Sequence, residues 1–297
     1  MPNEFFPIIR SHLYGPGNNV KILDKIFDTE ADAVVLDLED AVPYDQKKLA
    51  RTMVSEIIAD RSYNSRPYTF VRINHPNLKI TEEEINLIVQ DGLFGIRIPK
   101  VESAEDIRIV EEFLNAQEAK CGMKNGRIKI ICNIESSKGI LSAANILQAS
   151  DRIVGFAFGA ADFAEDINIW KPDNFSFLYP KSHLVLVSSA FAVQPPVDSV
   201  FTDLNDEDGL RKSSLFAKNI GFFGRSAIHP KQISIINDVY TPSSEEITKA
   251  QSIINALHNA EKQNTGAVNM GGDFVDIAIV KKAEGIINLS KSLGIIK

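Results

Sequence analysis

The chain is poor in cysteine and in long apolar runs, and it has no excess of positive charge; each shortage narrows what it can be. Two cysteines in 297 residues, Cys121 and Cys132, are too few for a disulfide framework. Cys132 lies inside a strand-like run, where a small buried thiol is the ordinary role, so a thiolate metal site is not expected either. No apolar stretch approaches the roughly 20 residues of a membrane-spanning helix. The start, MPNEFFPIIRSHLYGPG, lacks a basic end followed by an apolar h-region, and a cytoplasmic protein with no membrane partner is expected. Lysine and arginine number 32 against 39 acidic residues, a net charge of −7, and they are scattered rather than blocked. Nothing in that balance supports a nucleic-acid surface. The averaged field repels anions, so an anionic ligand needs a local basic pocket. No G-x-G-x-x-G follows the first strand-like segment, which disfavours a doubly wound dinucleotide-binding sheet. No serine or cysteine has an evident base partner, which disfavours covalent acyl catalysis.

What is present is an alternation of short apolar runs with longer helical patterns, uninterrupted by repeats or low-complexity segments. The runs at 8–13, 33–38, 68–73, 95–99, 128–134, 153–158, 197–201 and 221–223 read as strands. Segments 19–28, 45–60, 82–91, 104–119 and 139–148 carry apolar residues at helical spacing, and Ser103 with Asp106 resembles a capping box. Each step between strands is long enough for a crossover helix, so the strands run parallel. Eight such units close a (β/α)8 TIM barrel. After His229-Pro230 the pattern changes. A barrel over residues 1–242 is expected, followed by a helical lid segment over 243–297 that covers the site or reaches a neighbouring subunit.

In a β/α barrel the C-terminal ends of the strands build the site, so polar residues just after strands carry most weight. Glu135 follows the fifth strand in IKIICNIESS, and Asp162 follows the sixth in VGFAFGAADF. Two carboxylates without histidine or cysteine companions suit a hard cation such as Mg²⁺, with water and substrate oxygens completing the octahedron. Either carboxylate could instead cap the next helix. Arg72 ends the third strand among aliphatic neighbours and needs an anion beside it: a structural partner in Asp37 or Glu39, or a substrate carboxylate or enolate oxygen. Arg10 invites the same argument. Around VVLDLEDA, Asp37 reads as the brace of an arginine, and Glu39 and Asp40 as groups around the waters of the cation. Lys100, after the fourth strand, is either the positive end of a pocket or a surface lysine. Arg225 and His229 accompany the last strand in GFFGRSAIHPKQI, and His229 is equally well a hydrogen-bonded turn residue.

Taken in order, RSHLYGPGN, VVLDLEDAV, VRIN, PKVES, IESSKGI, GAADFAEDI, VDSVFTDLNDEDGL and GFFGRSAIHPKQI resemble the citrate lyase β-subunit-like branch of the HpcH/HpaI aldolase superfamily. The resemblance implies a Mg²⁺-dependent β/α barrel that makes or breaks a carbon–carbon bond beside an acyl thioester, commonly a coenzyme A ester. Family members cleave malyl-, β-methylmalyl- or citramalyl-CoA, or citryl groups on an acyl carrier protein, and many are trimers. It further implies Glu135 and Asp162 as metal ligands, Arg72 as the stabiliser of the enolate, and Asp276, in GGDFVDIAIVKKA, as the acid/base. Arg10, Lys100, Arg225 and His229 are its candidates for substrate and CoA contacts. Lys181 stands where relatives often have arginine, Arg225 where lysine is common, and the leucine that many relatives carry after the aspartate of GAADF is missing. These departures bear on substrate choice and thioester contacts. The expected reaction is cleavage of citramalyl-CoA or malyl-CoA to acetyl-CoA and a 2-oxo acid, citramalyl-CoA being preferred. The alternatives are a citrate lyase subunit working on a carrier-bound citryl group, a malyl-CoA thioesterase, and a catalytically idle homologue.

Overall fold

Every side chain from Ala33 to Asp37 is buried, which is what a parallel strand covered on both faces requires and why its sequence runs apolar without alternation. In the computed structural model, which describes residues 6–173, 175–262, 268–270, 273–275 and 277–296, this segment is β2 of a curled, parallel seven-stranded sheet. The strands are β1 (Ser11–Pro16), β2 (Ala33–Asp37), β3 (Tyr68–Arg72), β4 (Gly95–Ile98), β5 (Lys129–Ile134), β6 (Ile153–Phe158) and β7 (Arg225–Ala227). Their order is β6-β5-β4-β3-β2-β1-β7. Helices follow the strands: α1 (Val20–Ile26), α2 (Lys47–Ala59), α3 (Ile80–Ile88), α4 (Ala104–Lys120), α5 (Ser137–Leu147), α6 (Ala160–Asp166), α7 (Leu178–Ala190), α8 (Glu207–Asn219) and α9 (Ile233–Tyr240).

Local chemistry sets the helix starts. The capping box expected at Ser103 and Asp106 is formed at the head of α4. Ser136 opens α5 by accepting from the Gly139 N–H at 3.2 Å, and Asp206 opens α8 by accepting from the Gly209 N–H at 2.8 Å. Three strand assignments are corrected. The seventh expected strand, 197–201, is not one: Val197 bridges to Ala157 and Asp198 bridges to Arg225. Main-chain hydrogen bonds run from Val197 N–H to Phe156 O and from Ser226 N–H to Asp198 O, both at 2.9 Å. This two-residue segment therefore touches both edge strands of the sheet. The last strand is Arg225–Ala227 rather than 221–223, and the first begins at Ser11 rather than at 8.

Residues Ile9–Asp238 form one compact unit, and Val239 onward belongs to a second. In the second, α10 (Ser244–Lys262) and α11 (Ile277–Ser292) pack around Ala250, Ala283 and Ile287. Between them lies a short antiparallel pair, β8 (Val268–Met270) and β9 (Asp273–Val275). Asp276 lies outside the described residues. No helix among the described residues is long and apolar enough to cross a membrane.

Candidate active site

At the C-terminal ends of the strands lies a cavity of about 370 Å³ whose lining includes Tyr14, Asp37, Arg72, Arg97, Asn133, Glu135, Gly159, Asp162 and Ser226. Parallel strands place it there: the side chains that end β2, β3 and β5, and the first turn of α6, converge on one rim.

Glu135 is the residue after β5 and is 5% exposed, and its Oε2 is buried without a hydrogen-bond partner. Burial, and then the charge of Asp162, push its carboxyl pKa up to about 7. Asp162 sits in the first turn of α6. Neither residue is a helix cap, because Ser136 caps α5 and Gly159 caps α6. The capping role left open by the sequence is thereby removed. Gly159 makes the pairing of the two acids sterically feasible: a Cβ there would lie 2.4 Å from Glu135 Cγ and 2.9 Å from its Cδ. The described residues contain no cluster of three or more potential His, Cys, Asp or Glu ligands. A buried carboxylate with one unpartnered oxygen beside a second carboxylate, in an open cavity, nonetheless fits an oxygen-seeking divalent cation that takes its remaining ligands from water and substrate.

Arg72 is held from two sides. Its Nε donates to Asp37 Oδ1 at 2.8 Å, its Nη2 to Asp37 Oδ2 at 2.5 Å, and its Nη1 lies 2.9 Å from Glu39 Oε2. Burial opposes its charge, but the hydrogen bonds and charge of Asp37 outweigh it and raise its pKa. The structural partners left open by the sequence are thus both present, and the guanidinium still lines the cavity. Asp37 is the brace anticipated, and its two oxygens also accept from the Glu39 and Ala41 N–H groups at 2.9 and 3.3 Å. Glu39 is raised by burial, against the pull of Arg72 and Lys100. Lys100 donates to Glu39 Oε1 at 3.0 Å and reaches the exposed Asp40 at 3.5 Å. Its backbone has φ 50°, a left-handed conformation that costs a non-glycine residue on the order of 1 kcal/mol and tends to occur where function constrains the chain.

Three expected contacts lie elsewhere. Because β1 starts at Ser11, Arg10 precedes the strand and sits at the opposite, N-terminal end of the sheet. There its Nε and Nη2 donate to Asp32 at 2.7 and 2.9 Å. Arg225 is the first residue of β7, is 2% exposed, and bonds Asp198 and, at 2.9 Å, Ser213. Asp198 also takes Lys181 Nζ at 2.7 Å. Lys181 and Arg225, two of the three departures noted in the resemblance, therefore serve one buried aspartate, and neither side chain lines the cavity. Burial works against the charge of Asp198, and Arg225 and Lys181 overcome it, holding its carboxyl below the usual range. His229 accepts from the Lys231 N–H at 3.2 Å and caps the turn Pro230–Gln232, which is the structural role the sequence allowed.

Arg97, Tyr14, Asn133 and Ser226 line the cavity without having been singled out. The signal for Arg97 was available: an arginine in the middle of the apolar run GIRIP is the same uncompensated charge that flagged Arg72.

The HpcH/HpaI aldolase/citrate lyase family pattern matches residues 10–230. The chain is 33% identical over 284 residues to the citrate lyase subunit beta of Leuconostoc mesenteroides subsp. cremoris, covering 95% of this chain and 93% of that one. It is 32% identical over 299 residues to the L-malyl-CoA/beta-methylmalyl-CoA lyase of Rhodobacter capsulatus, covering 94% and 93%. Among solved structures, protein CitE from Mycobacterium tuberculosis in complex with magnesium, acetoacetate and coenzyme A superposes with a TM-score of 0.76 at 25% identity, over 95% of this chain and 97% of that one.

Proposed function

The chain belongs to the HpcH/HpaI aldolase/citrate lyase family, and from that premise we propose that it is a magnesium-dependent lyase of hydroxyacyl-CoA thioesters. It splits a malyl-CoA or citramalyl-CoA type of ester into acetyl-CoA and a 2-oxo acid. The observation that carries this reading is the buried Glu135 carboxylate, whose Oε2 has no hydrogen-bond partner, beside Asp162 and in one cavity with a positively charged Arg72.

Glu135 and Asp162 hold the cation. When bound, magnesium supplies a Lewis acid for the substrate's hydroxyl and adjacent carboxylate oxygens. The bond between the hydroxyl-bearing carbon and the carbon next to the thioester breaks, and its electron pair moves into the thioester as an enolate. Arg72 stabilises that oxygen, its guanidinium pre-oriented by Asp37 and Glu39 so that no reorganisation is needed as charge develops. Lys100 offsets the negative charge of Glu39 and Asp40, which would accept hydrogen bonds from water held by the cation. Asp276 exchanges the proton with the acetyl carbon. The hydroxyl releases its proton to solvent as the carbonyl forms, and in this direction Asp276 delivers one to the enolate carbon, so atoms and charge balance. The reading includes a closed (β/α)8 barrel, a C-terminal lid, a homotrimer and a cytoplasmic location. The exposed Trp170, Phe175, Tyr179 and Leu186 offer apolar surface for a subunit contact.

A second reading, favoured by the Leuconostoc relative, keeps the chemistry and changes the carrier to an acyl carrier protein. The test incubates the purified protein with Mg²⁺ and a panel of hydroxyacyl-CoA esters, following oxo acid and free thiol separately. Oxo acid without thiol is expected; thiol with intact hydroxy acid would make the protein a thioesterase instead. Glu135→Ala and Asp162→Ala abolish metal-dependent cleavage, while Asp276→Ala keeps metal binding and loses most turnover. Undiminished cleavage by the Asp276 variant would remove that residue from the mechanism. Cleavage only in the presence of a carrier protein would select the second reading.

A further inference from the structure

Five cationic side chains in the described residues are buried: Arg51, Arg97, Arg152, Lys181 and Arg225. Arg51 pairs with Glu83 at 2.9 Å, Arg152 pairs with Glu118 at 2.6 Å, and Lys181 and Arg225 share Asp198. Arg97 differs. It is 0% exposed, and the groups that accept from it among the described residues are two neutral hydroxyls, Tyr14 Oη at 2.8 Å and Ser226 Oγ at 3.3 Å, both bonded by its Nη1. A guanidinium carries donors only, so in each of these bonds the hydroxyl oxygen is the acceptor and the hydroxyl proton turns away from the arginine.

Tyr14 lines the cavity together with Arg72, Glu135 and Asp162. Among the described residues no group accepts from its hydroxyl, so the phenol proton is available to whatever the cavity holds. Its ring has the Arg72 guanidinium at 5.2 Å from the centroid and that of Arg97 at 5.3 Å, both within cation–π reach. Two cationic neighbours, one of them donating directly to the phenol oxygen, polarise the O–H bond and strengthen it as a donor. Arg72, by contrast, is largely committed. Its Nε and Nη2 donate to Asp37 and its Nη1 is drawn to Glu39, so an oxygen that it stabilises gains from a second donor not engaged elsewhere.

On the proposed lyase reading, on which this inference rests, an enolate oxygen develops on the thioester beside Arg72. We propose that Tyr14 is a further catalytic residue, donating a hydrogen bond from its phenol to that oxygen, and that Arg97 is the positioning residue that fixes and polarises the phenol. Donors already aimed at the place where charge develops need no reorganisation as the bond breaks. The phenol keeps its proton throughout. The carbon–carbon bond breaks, its electron pair moves to the thioester oxygen, and Asp276 supplies the proton to the enolate carbon, so the balance already given is unchanged. The unusual company of Arg97 then has a reason: a carboxylate partner would take up the guanidinium and leave the phenol unpolarised.

The test uses the full chain with Mg²⁺ and reads two rates. One is cleavage of malyl-CoA and citramalyl-CoA; the other is exchange of the acetyl-CoA methyl protons with D₂O, in which the same enolate forms and is reprotonated. Tyr14→Phe keeps the ring and removes the donor, and it is expected to lower both rates by about 100-fold, the scale of one oxyanion donor, with KM little changed. Arg97→Met is expected to lower kcat by about tenfold in the wild-type background, the scale of one neutral hydrogen bond. In the Tyr14→Phe background it has no further effect on kcat, a non-additivity that a merely structural arginine would not show. Arg97→Lys, which can still donate to the phenol, recovers part of the loss. Should the Met variant fail to fold, the Lys variant combined with Tyr14→Phe takes its place. Unchanged rates in Tyr14→Phe, or a higher KM with kcat intact, would overturn the donor while cleavage by the wild type upheld the lyase reading. Full additivity of the two substitutions would overturn the role of Arg97. Exchange without cleavage of any ester would sink the lyase reading, and the exchange rate of Tyr14→Phe would then decide the donor alone.

Discussion

At position 159 one methyl group decides whether the carboxylate of Glu135 can stay where it is. The backbone there has φ −102°, which any residue adopts, so the glycine is required by the 2.4 Å approach that a Cβ would make to Glu135 Cγ and not by its backbone. Gly159→Ala should leave the fold intact and displace the carboxylate, weakening Mg²⁺ or Mn²⁺ binding by about tenfold or more, the usual cost of disturbing what orients a ligand. A titration followed by electron paramagnetic resonance with Mn²⁺ measures this. Wild-type affinity in the variant would mean that Glu135 does not hold the metal. The sequence made the two acids visible because strand-end positions can be located from apolar runs alone. Arg97 carried the same charge signal as Arg72 but sits inside its strand, where periodicity alone does not say which face of the sheet a side chain takes.

Elements hold the rim through a buried acid on α3. Glu84 accepts from the Asn74 N–H at 2.8 Å and from Asn74 Nδ2 at 2.5 Å, and Asn74 Nδ2 also donates to Leu38 O at 2.8 Å, tying the ends of β3 and β2 together beside Glu39. Burial, opposed by those hydrogen bonds, lifts the Glu84 pKa to about 7 from 4.5. A carboxyl whose pKa is raised on folding contributes stability that is fully present below its unfolded pKa and is lost as pH rises through the folded one. Between pH 4.5 and 8 the stability of Glu84→Gln relative to wild type should therefore shift in favour of the glutamine, by on the order of 3 kcal/mol at the limit. Urea denaturation of both proteins across that range gives the difference, in which other titrations cancel; a flat difference would mean that Glu84 stays ionised. The legibility of the elements follows their chemistry too. Capping box and crossover helices were plain, whereas both strand ends beside β1 and β7 slipped. Pairing of Gly15 with Leu36 and Pro16 with Asp37 continues through residues that usually break a strand. Phe222 is buried from a turn flanked by Gly221 at φ 103° and Gly224 at φ 94°, so its hydrophobicity imitates a strand.

At the scale of the whole sheet, the two edges, β6 and β7, are bridged by one segment, Val197 to Ala157 and Asp198 to Arg225. Four main-chain hydrogen bonds run through these two residues, to Phe156, Phe158, Gly224 and Ser226, and the link is reinforced electrostatically. Asp198, 0% exposed, takes Lys181 from α7 and Arg225 from β7 on its two oxygens. Because both cations bond the two oxygens of one buried aspartate and neither lines the cavity, the pair is best understood as one counterion set rather than as two substrate contacts. Asp198→Asn would leave two buried cations facing a neutral amide, a change that typically costs about 3–5 kcal/mol. Denaturant unfolding should register a loss of that size. Adding Lys181→Met to the Asn variant should recover part of it, since one of the orphaned charges disappears, and a double-mutant cycle over positions 181 and 198 would then report strong coupling. If Asp198→Asn cost no more than an ordinary surface substitution, or if the second change made matters additively worse, the closing segment would be held by its backbone alone. The charged triad would then carry none of the stability of the unit Ile9–Asp238.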